Sequence, residues 1–446
     1  MTTKPMNILY VHTHDTGRMI EPYDPAISTP HLMRLAQEGT LFRNAYCCGP
    51  TCSPSRAALL TGQPPHANGM YGLAHRGFSL NDYSRHLANY LKAFGYETAL
   101  FGMQHECKNP KGIGYDRVFV DPRREAEDLT AWDLCNGDAA IAYLKEAHEK
   151  PFFMSYGLAH THRPFLEIDG SVNPDYLRVP PCLPDNAKTR EDFAGYVTSA
   201  LRADHCIGRV LEELEAQGLI DNTLILYTTD HGIAFPHMKC NLYDTGIGVS
   251  LILKYPGNPS AGKVTDALVS QVDLYPTLCE LLGIPAPEWL TGRSLVPILE
   301  NPEAEVNDAV FSEVTYHAAA EPQRCIRTKR YKYIRRYGVN DDYVPANIDA
   351  GGSKDFLLEE GLLSRQIDRE MLFDLSFDPG ERQNLIGCPD YAPIASDLRA
   401  RLAGHMKETG DFVESGNLPR PEGMVLNTIT CIDPDSRDPE DYERIQ

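Results

Sequence analysis

One short segment, CSPSRAALLTG at residues 52–62, carries the residue types with the clearest capacity for chemistry. Pro54 can begin a helix and Gly62 can end one, so Cys52 is predicted to lie just before a helix N-terminus. There the backbone N–H groups and the helix dipole favour an anion or a thiolate. Arg56 would lie about one helical turn further on. The segment therefore predicts a reactive cysteine beside an anion-binding arginine.

Two other interpretations of this cysteine stay open at the level of the sequence. Cys52 could be an ordinary buried thiol. Alternatively, Cys47, Cys48 and Cys52 could form part of a zinc cluster, although the sequence offers no companion Cys-x-x-Cys pair that would complete it.

Pairs of histidine and aspartate follow two predicted strands. The run NILYVHT ends just before His14 and Asp15, and the run TLILYTT ends just before Asp230 and His231. Ligands of open α/β sheets bind beyond the carboxyl ends of the strands, and carboxylate together with imidazole can hold a divalent metal. For one pair alone, capping a helix or pairing with a lysine is the simpler explanation. Two pairs at equivalent strand ends favour a metal site.

Histidines also follow two further predicted strands, His105 after residues 97–101 and His160 after residues 151–158. A lone histidine is commonly a hydrogen-bonded structural group, but four strand ends with histidines are harder to explain in that way. Basic side chains such as Lys239 would add positive charge. The combination indicates a metal site that handles an anionic substrate.

Strands and helices alternate over about the first three hundred residues, which predicts right-handed crossovers. We expect an α/β fold with a large, mostly parallel sheet sandwiched by helices. Further along, residues 325–337 and 370–375 look like antiparallel strands and residues 391–408 like a helix. We therefore predict an α/β catalytic domain over residues 1–318. A smaller α+β subdomain over residues 319–446 would contain an antiparallel sheet, a helix and an extended tail.

The composition narrows the classes of function. The 446 residues include 42 Lys and Arg against 62 Asp and Glu, a formal net charge of −20, which argues against nucleic-acid binding. No apolar run reaches about 18 residues, so neither a membrane span nor a membrane partner is predicted. The chain enters its first strand without a basic leader, so we expect a cytoplasmic protein whose 12 cysteines are mostly reduced thiols.

These motifs resemble those of the type I sulfatases of the alkaline phosphatase superfamily. The family signature, Cys-x-Pro-x-Arg followed by Thr-Gly, matches residues 52–62, and the likeness extends over nearly the whole chain. Within the family, the segments NGMYGL (68–73), NLY (241–243) and EVT (313–315) are most similar to the sulfamidase, or heparan N-sulfatase, branch. The resemblance implies an alkaline-phosphatase-like fold and a maturation enzyme that converts Cys52 to formylglycine.

The resemblance also implies roles for individual residues. The hydrated formylglycine would attack sulfur, and His160 would protonate the leaving oxygen or nitrogen. The catalytic set implied in this way is Cys52, Arg56, His160, His105 and Lys239. The residues implied to hold one divalent metal are His14, Asp15, Cys52, Asp230 and His231.

The sequence departs from the family pattern at two positions. His14 stands where the first Asp of an Asp-Asp pair is expected, and Met103 where a lysine is expected. His231 stands where many sulfatases have Asn, although some sulfatases and the phosphonate hydrolases have His. The family implies Ca²⁺, which is the first expectation; because Ca²⁺ prefers oxygen ligands, imidazoles at His14 and His231 would shift the preference toward Mn²⁺ or Zn²⁺, which are the alternatives. Alternatively, one histidine binds the metal and the other the substrate. Without the lysine, either His14 supplies the charge or the substrate differs from the usual sulfate ester.

The preferred hypothesis is a sulfohydrolase that removes sulfate from a sulfated saccharide, either the N-sulfate of N-sulfoglucosamine or a sugar O-sulfate. A hydrolase of phosphonate or phosphate esters on the same scaffold is the alternative, and the Asp230-His231 pair favours it. A non-catalytic binding module with Cys52 as a structural thiol is the third hypothesis. The tail from residue 416 could support a homodimer.

Overall fold

A nine-stranded, a four-stranded and a two-stranded sheet organise the described part of the chain. The computed structural model describes residues 5–123, 128–338, 341–436 and 438–445. Residues 1–4 lie outside these ranges, and they belong to the N-terminal segment in which the sequence predicted no basic leader. Residues 437 and 446 of the tail lie outside them as well. The strands are β1 (Asn7–Thr13), β2 (Thr40–Tyr46), β3 (Glu97–Gly102), β4 (Arg117–Phe119), β5 (Phe152–Gly157), β6 (Thr223–Thr229), β7 (Gly248–Val249), β8 (Leu251–Lys254), β9 (Lys263–Ser270), β10 (Ala309–Tyr316), β11 (Ala320–Thr328), β12 (Tyr331–Arg336), β13 (Glu370–Asp374), β14 (Val425–Asn427) and β15 (Tyr442–Arg444). The helices are α1 (Pro30–Glu38), α2 (Cys52–Thr61), α3 (Pro65–Asn68), α4 (Leu87–Lys92), α5 (Leu129–Leu144), α6 (Ala187–Ala216), α7 (Asp244–Ile247), α8 (Leu274–Leu282), α9 (Val296–Glu300), α10 (Gly352–Glu359) and α11 (Ala392–Thr409).

The nine-stranded sheet has the order β4–β3–β5–β1–β6–β8–β2–β7, with β9 paired to β2. β1 lies near its centre and runs parallel to β5 and β6, whereas β8 runs antiparallel to β6. All residues of β1 are buried, as expected for a strand that is covered on both faces. The prediction of a large, mostly parallel sheet sandwiched by helices is confirmed.

Alternate residues of β1 enter two separate apolar cores, because side chains alternate across a strand. Ile8 and Tyr10 belong to a cluster on one face of the sheet. Leu9 and Val11 belong to a cluster on the other face, which includes Ile207 of α6. The carboxyl edge of the sheet, where β1 meets its neighbours, is thus supported by packed side chains on both sides.

The four-stranded sheet runs β10–β11–β12–β13 and is antiparallel throughout. The prediction of one strand over residues 325–337 is wrong in detail, because the chain turns at Lys329 and Arg330 and forms β11 and β12 as a hairpin. The predicted helix is present as α11, which packs on this sheet through Leu398 and Leu402. β10 precedes residue 319 and yet pairs with β11. The division of the chain into domains at 318 and 319 stays a proposal.

The C-terminal tail packs on its own chain. β14 and β15 pair with each other, and Met424 and Leu426 are buried in an apolar cluster with Phe78 and Tyr316. A homodimer, which we expected from a protruding tail, stays a prediction. Among the described residues, no helix is both long enough and apolar enough to cross a membrane.

A buried lysine joins the four-stranded sheet to the loops at the carboxyl edge of the large sheet. The Nζ of Lys332, on β12, lies 2.5 Å from Asp244 Oδ1 and 2.8 Å from Glu381 Oε1. It also donates a hydrogen bond to the backbone oxygen of Leu242 at 3.1 Å. Buried charges cost free energy unless each is paired. The three side chains therefore depend on one another, and they hold β12 against the segment that follows β6.

Replacing Lys332 with Met is expected to lower the free energy of unfolding by about 3–5 kcal/mol, because it removes the buried cation that Glu381, itself buried, shares with the partly exposed Asp244. Denaturant unfolding measures this change. The matched control is Lys329→Met, since Lys329 is half exposed and pairs with Glu305 at the surface. That control should cost less than about 1 kcal/mol. Equal effects of the two substitutions would contradict the inference that Lys332 links the two sheets through buried ion pairs.

Candidate active site

The carboxyl ends of β3, β5, β1 and β6, which are parallel neighbours, bring the predicted residues to one edge of the sheet. His14 and Asp15 follow β1, Asp230 and His231 follow β6, and His160 follows β5. Each of these five side chains belongs to a residue that is at most 2% exposed. The site is therefore a buried pocket whose polar groups must find partners within it or in a ligand.

The carboxylate of Asp230 connects three parts of the site. Its Oδ1 accepts hydrogen bonds from the backbone nitrogens of Asp15, at 2.8 Å, and of His231, at 3.0 Å. Its Oδ2 accepts one from Arg56 Nη2 at 2.9 Å. Burial favours the neutral acid, but His231 and then Arg56 outweigh it, and the pKa of Asp230 is lowered far below its usual range. Asp230 is therefore a buried anion at neutral pH.

Arg56 attaches α2 to the ends of two strands. Besides Asp230, its guanidinium contacts the ring nitrogen Nδ1 of His12 and donates to the backbone oxygen of Thr13 at 3.0 Å. The residue is 2% exposed. Although the sequence predicted an anion-binding arginine, the protein itself provides this anion, so Arg56 positions the start of α2 beside the two strand ends.

Cys52 is the first residue of α2, not the residue before it, because the helix begins two residues ahead of Pro54 with Thr51 as its N-cap. Its Sγ lies 4.0 Å from Asp15 Oδ1. The thiolate expected from the helix dipole is not favoured here. Burial raises the pKa of Cys52 well above its usual range, and the lowering effect of Lys239 does not compensate. Among the described residues, the groups suited to a metal include Cys52 but neither Cys47 nor Cys48.

Two histidines each have one ring nitrogen occupied and the other without a hydrogen-bond partner. His14 Nδ1 lies 2.6 Å from Asp15 Oδ1, and His231 Nδ1 lies 2.9 Å from the backbone oxygen of Gly232. The Nε2 atoms of both residues are buried and find no hydrogen-bond partner among the described residues. An Nδ1–H donated to oxygen leaves Nε2 with its lone pair, which is the usual arrangement of a metal-binding histidine.

The donors around His231 Nε2 fit a divalent metal. This nitrogen lies 3.3 Å from Asp15 Oδ1 and 3.8 Å from Asp230 Oδ2. One donor atom each from His14, Asp15, Cys52 and Asp230 also lies within 4.8 Å of the others. The structure thus brings together every residue predicted to hold the metal. The mixture of carboxylate oxygen and imidazole nitrogen suits Mn²⁺ or Zn²⁺ better than Ca²⁺.

Lys239 faces two carboxylates. Its Nζ donates to Asp15 Oδ2 at 2.8 Å and to Asp349 Oδ1 at 3.3 Å. Burial favours the neutral amine, but Asp15 and Asp349 outweigh it and raise the pKa of Lys239. Lys239 in turn holds the pKa of Asp15 well below its usual range against the effect of burial. Sequence reasoning missed Asp349, which lies in a segment without helical or strand periodicity.

His160 is oriented by a second residue that sequence reasoning missed. Asp133 of α5 lies with Oδ2 2.5 Å from His160 Nδ1, and its two oxygens also accept the backbone N–H groups of Ala159 and His160. Within the described parts of the chain, the hydrogen-bond partner of the opposite ring nitrogen, Nε2, is Thr130 Oγ1 at 3.5 Å. The signal that could have identified Asp133 is an acidic residue among positions of α5 that recur at helical spacing and are buried.

His105 lies beside the polar side chains of the site, whereas Met103 lies in an apolar environment. The ring of His105 lies 5.1 Å from that of His14, and its buried Nδ1 has no hydrogen-bond partner among the described residues. Met103 instead packs in an apolar cluster with Leu129 and Trp132. The pocket therefore has an imidazole at His105 and no charge at Met103, where the family resemblance implies a lysine.

Two sequence models of protein families match this chain, and several known proteins are similar to it. A sequence model described as Sulfatase matches residues 7–284, and one described as N-sulphoglucosamine sulphohydrolase, C-terminal, matches residues 233–348. The N-sulphoglucosamine sulphohydrolase of Homo sapiens is 31% identical over 92% of this chain and 91% of its own length. An Ulvan-active sulfatase of Formosa agariphila is 30% identical over 89% of this chain and 78% of its own. A solved complex with the substrate D-glucosamine-2-N,6-O-disulfate has the same fold, with a TM-score of 0.71 at 22% identity over 92% of this chain and 99% of that one.

Cys52 of the native protein, as a thiol, is expected to react with iodoacetamide at least about tenfold more slowly than Cys107 or Cys388, because it is buried and its pKa is raised. Peptide mapping by mass spectrometry after timed alkylation measures the rates. The denatured protein is the control, in which all three should react alike. Preferential alkylation of native Cys52 would contradict the buried, protonated thiol.

Proposed function

The chain belongs to the sulfatase family and is a sulfuric ester hydrolase, and from this premise we propose that it releases sulfate from a sulfated saccharide, preferentially from N-sulfoglucosamine. The observation that carries the proposal is the contact between Arg56 and Asp230, which places Cys52 beside two buried carboxylates. The human relative, an N-sulphoglucosamine sulphohydrolase, supports the N-sulfate, and the Ulvan-active relative supports a sulfated saccharide more broadly.

Cys52 is proposed to be converted to formylglycine by a maturation enzyme, and one divalent metal is proposed to bind Asp15, Asp230, His231 and residue 52. When present, formylglycine and the metal supply an oxygen nucleophile at neutral pH and positive charge against the sulfate. The carboxylates of Asp15 and Asp230 are ionised and fixed before the substrate arrives. His14 is proposed to hold Asp15 in place through its Nδ1, at 2.6 Å.

The remaining roles follow from where the polar atoms are held. Lys239 Nζ keeps its proton and is fixed between Asp15 and Asp349, so it can face the sulfate oxygens without reorganisation. Asp133 accepts the Nδ1–H of His160 and stabilises positive charge on that ring, while Nε2 carries the proton that the leaving nitrogen or oxygen needs. His105 is proposed to lie on the sulfate side of the pocket.

The second candidate, a hydrolase of phosphonate or phosphate esters, is favoured by a specific observation. The Asp230-His231 pair gives the metal position an imidazole, and the pocket has Met103 in place of a lysine. Both changes alter how charge on the transferred group is balanced. The two candidates share every residue assigned above and differ only in the substrate.

Coexpression with a formylglycine-generating enzyme is expected to remove sulfur from the peptide that contains Cys52, as mass spectrometry would show. Replacing Cys52 with Ala should lower kcat/KM at least about 10³-fold, because the nucleophile is lost. The control is Cys48→Ala, a buried neighbouring thiol that contacts Ser270 and is outside the site. Full activity of a chain in which Cys52 is unmodified would refute the proposed chemistry.

Replacing Asp133 with Asn is expected to lower kcat by roughly 10²-fold with a smaller change in KM, because His160 loses the carboxylate that stabilises its charged form. The pH profile of kcat should change as well. The matched control is Asp138→Asn on the same helix, where the side chain is 64% exposed and pairs with Arg209. An unchanged pH profile with lower stability alone would indicate a merely structural role for Asp133.

N-sulfoglucosamine is expected to release its sulfate with a kcat/KM at least about tenfold above that of an aryl phosphonate ester, a preference of about 1.4 kcal/mol. Ion chromatography of sulfate released from a panel of N- and O-sulfated sugars, run in parallel with Ca²⁺, Mn²⁺ and Zn²⁺, measures this. Faster turnover of the phosphonate would favour the second candidate.

A further inference from the structure

Two overlapping groups of metal-binding side chains meet in the pocket. The first is His14, Cys52 and His105, and the second is His14, Asp15, Cys52 and Asp230; within each group, one donor atom per residue lies within 4.8 Å of the others. Two nitrogen or oxygen ligands of one tetrahedral ion are about 3.4 Å apart. His105 belongs to the first group only. An ion held between the carboxylates therefore leaves His105 without a role as ligand.

The orientation of His14 separates the two groups further. Its Nδ1 lies 2.6 Å from Asp15 Oδ1 and 3.4 Å from Asp230 Oδ2, so this nitrogen faces the carboxylates. Its Nε2 is on the other side of the ring, fully buried and without a hydrogen-bond partner among the described residues. Metal-binding histidines typically donate the other ring N–H to a carboxylate in this way. Asp15 would thus orient His14 for an ion on the far side of the ring.

His105 has a second unpartnered nitrogen, and its ring lies 5.1 Å from that of His14. Its Nδ1 is buried and has no hydrogen-bond partner among the described residues, and its ring is nearly perpendicular to that of His14, at 84°. Leaving such a group buried and unpaired is unfavourable. Met103, two residues earlier, points into an apolar cluster and contributes no charge. A cation at this position would satisfy both imidazoles.

We propose that His14 Nε2, His105 Nδ1 and the side chain of residue 52 bind a second divalent transition-metal ion, for which Zn²⁺ is the best fit. In the chain with unconverted Cys52, the third ligand is its sulfur, and binding releases the thiol proton to solvent. Two imidazoles and one thiolate are a zinc donor set, and three protein ligands leave one position open.

The consequence for substrate binding rests on the proposed function. A sulfate oxygen would occupy the open position, and the ion would supply the positive charge that a lysine at position 103 would otherwise bring. After conversion of Cys52, an oxygen of residue 52 takes the place of the sulfur. The binding of the second ion itself can be measured without conversion and without substrate.

The test uses the full chain expressed without a maturation enzyme, equilibrated with Zn²⁺, desalted and analysed by inductively coupled plasma mass spectrometry. The wild type should retain two ions per chain, and His105→Gln should retain one. The matched control is His75→Gln, because the His75 ring lies 6.3 Å from that of His105 but is in neither group, and it should retain two. His231→Gln should lose the ion of the carboxylate position and keep that of His105.

Circular dichroism and thermal unfolding in the absence of added metal verify that each variant is folded, and His105→Asn replaces His105→Gln if the latter is not. One ion per wild-type chain, or two ions in His105→Gln, would overturn the proposal. If two ions bind but the converted enzyme releases no sulfate, the second metal position stands and the proposed function fails. If the converted enzyme is active with one ion, only the second position fails.

Discussion

The pairing of Asp230 with Arg56 is the interaction on which the site depends. Asp230 accepts the backbone N–H of Asp15 and the guanidinium of Arg56, which also reaches the end of β1 at Thr13. Because both charges are buried, neither can be solvated if the other moves, and breaking such a pair is costly. The ends of β1 and β6 and the first turn of α2 are consequently held in one arrangement, and Cys52 comes to lie beside the carboxylates as a result.

The same buried charges decide what the pocket can receive. Asp15, Asp230 and Asp349 have lowered pKa values and are anionic at neutral pH, whereas Arg56 and Lys239 are cationic. Among these five groups the anions outnumber the cations by one, and an excess of negative charge repels a sulfate. A divalent metal reverses that sign. Met103 stands where the family resemblance implies a lysine and contributes no charge, and the unpartnered nitrogens of His14 and His105 lie in the same site.

Some of the fold and site follows from local sequence patterns. Residues 8–11 form an unbroken apolar run because β1 is covered on both faces, so the strand and the histidine and aspartate that follow it could be predicted. The hairpin of β11 and β12 could not be, because Lys329 and Arg330 at its turn lack the glycine or asparagine that marks one. Asp133 and Asp349 were missed because they contact His160 and Lys239, which are 27 and 110 positions away along the chain.

The order of residues by itself determined the family, the parallel α/β fold and the set of side chains at the strand ends, because these depend on short motifs and on regular spacing. Only the tertiary structure decided the state of those side chains. Which ring nitrogen of His160 faces away from the protein's own carboxylate depends on Asp133, which the fold brings to the other nitrogen from 27 positions away. Whether Cys52 is a thiol or a thiolate depends on its burial, which outweighs the helix dipole and Lys239. Such properties arise from contacts between distant segments, and no local pattern encodes them.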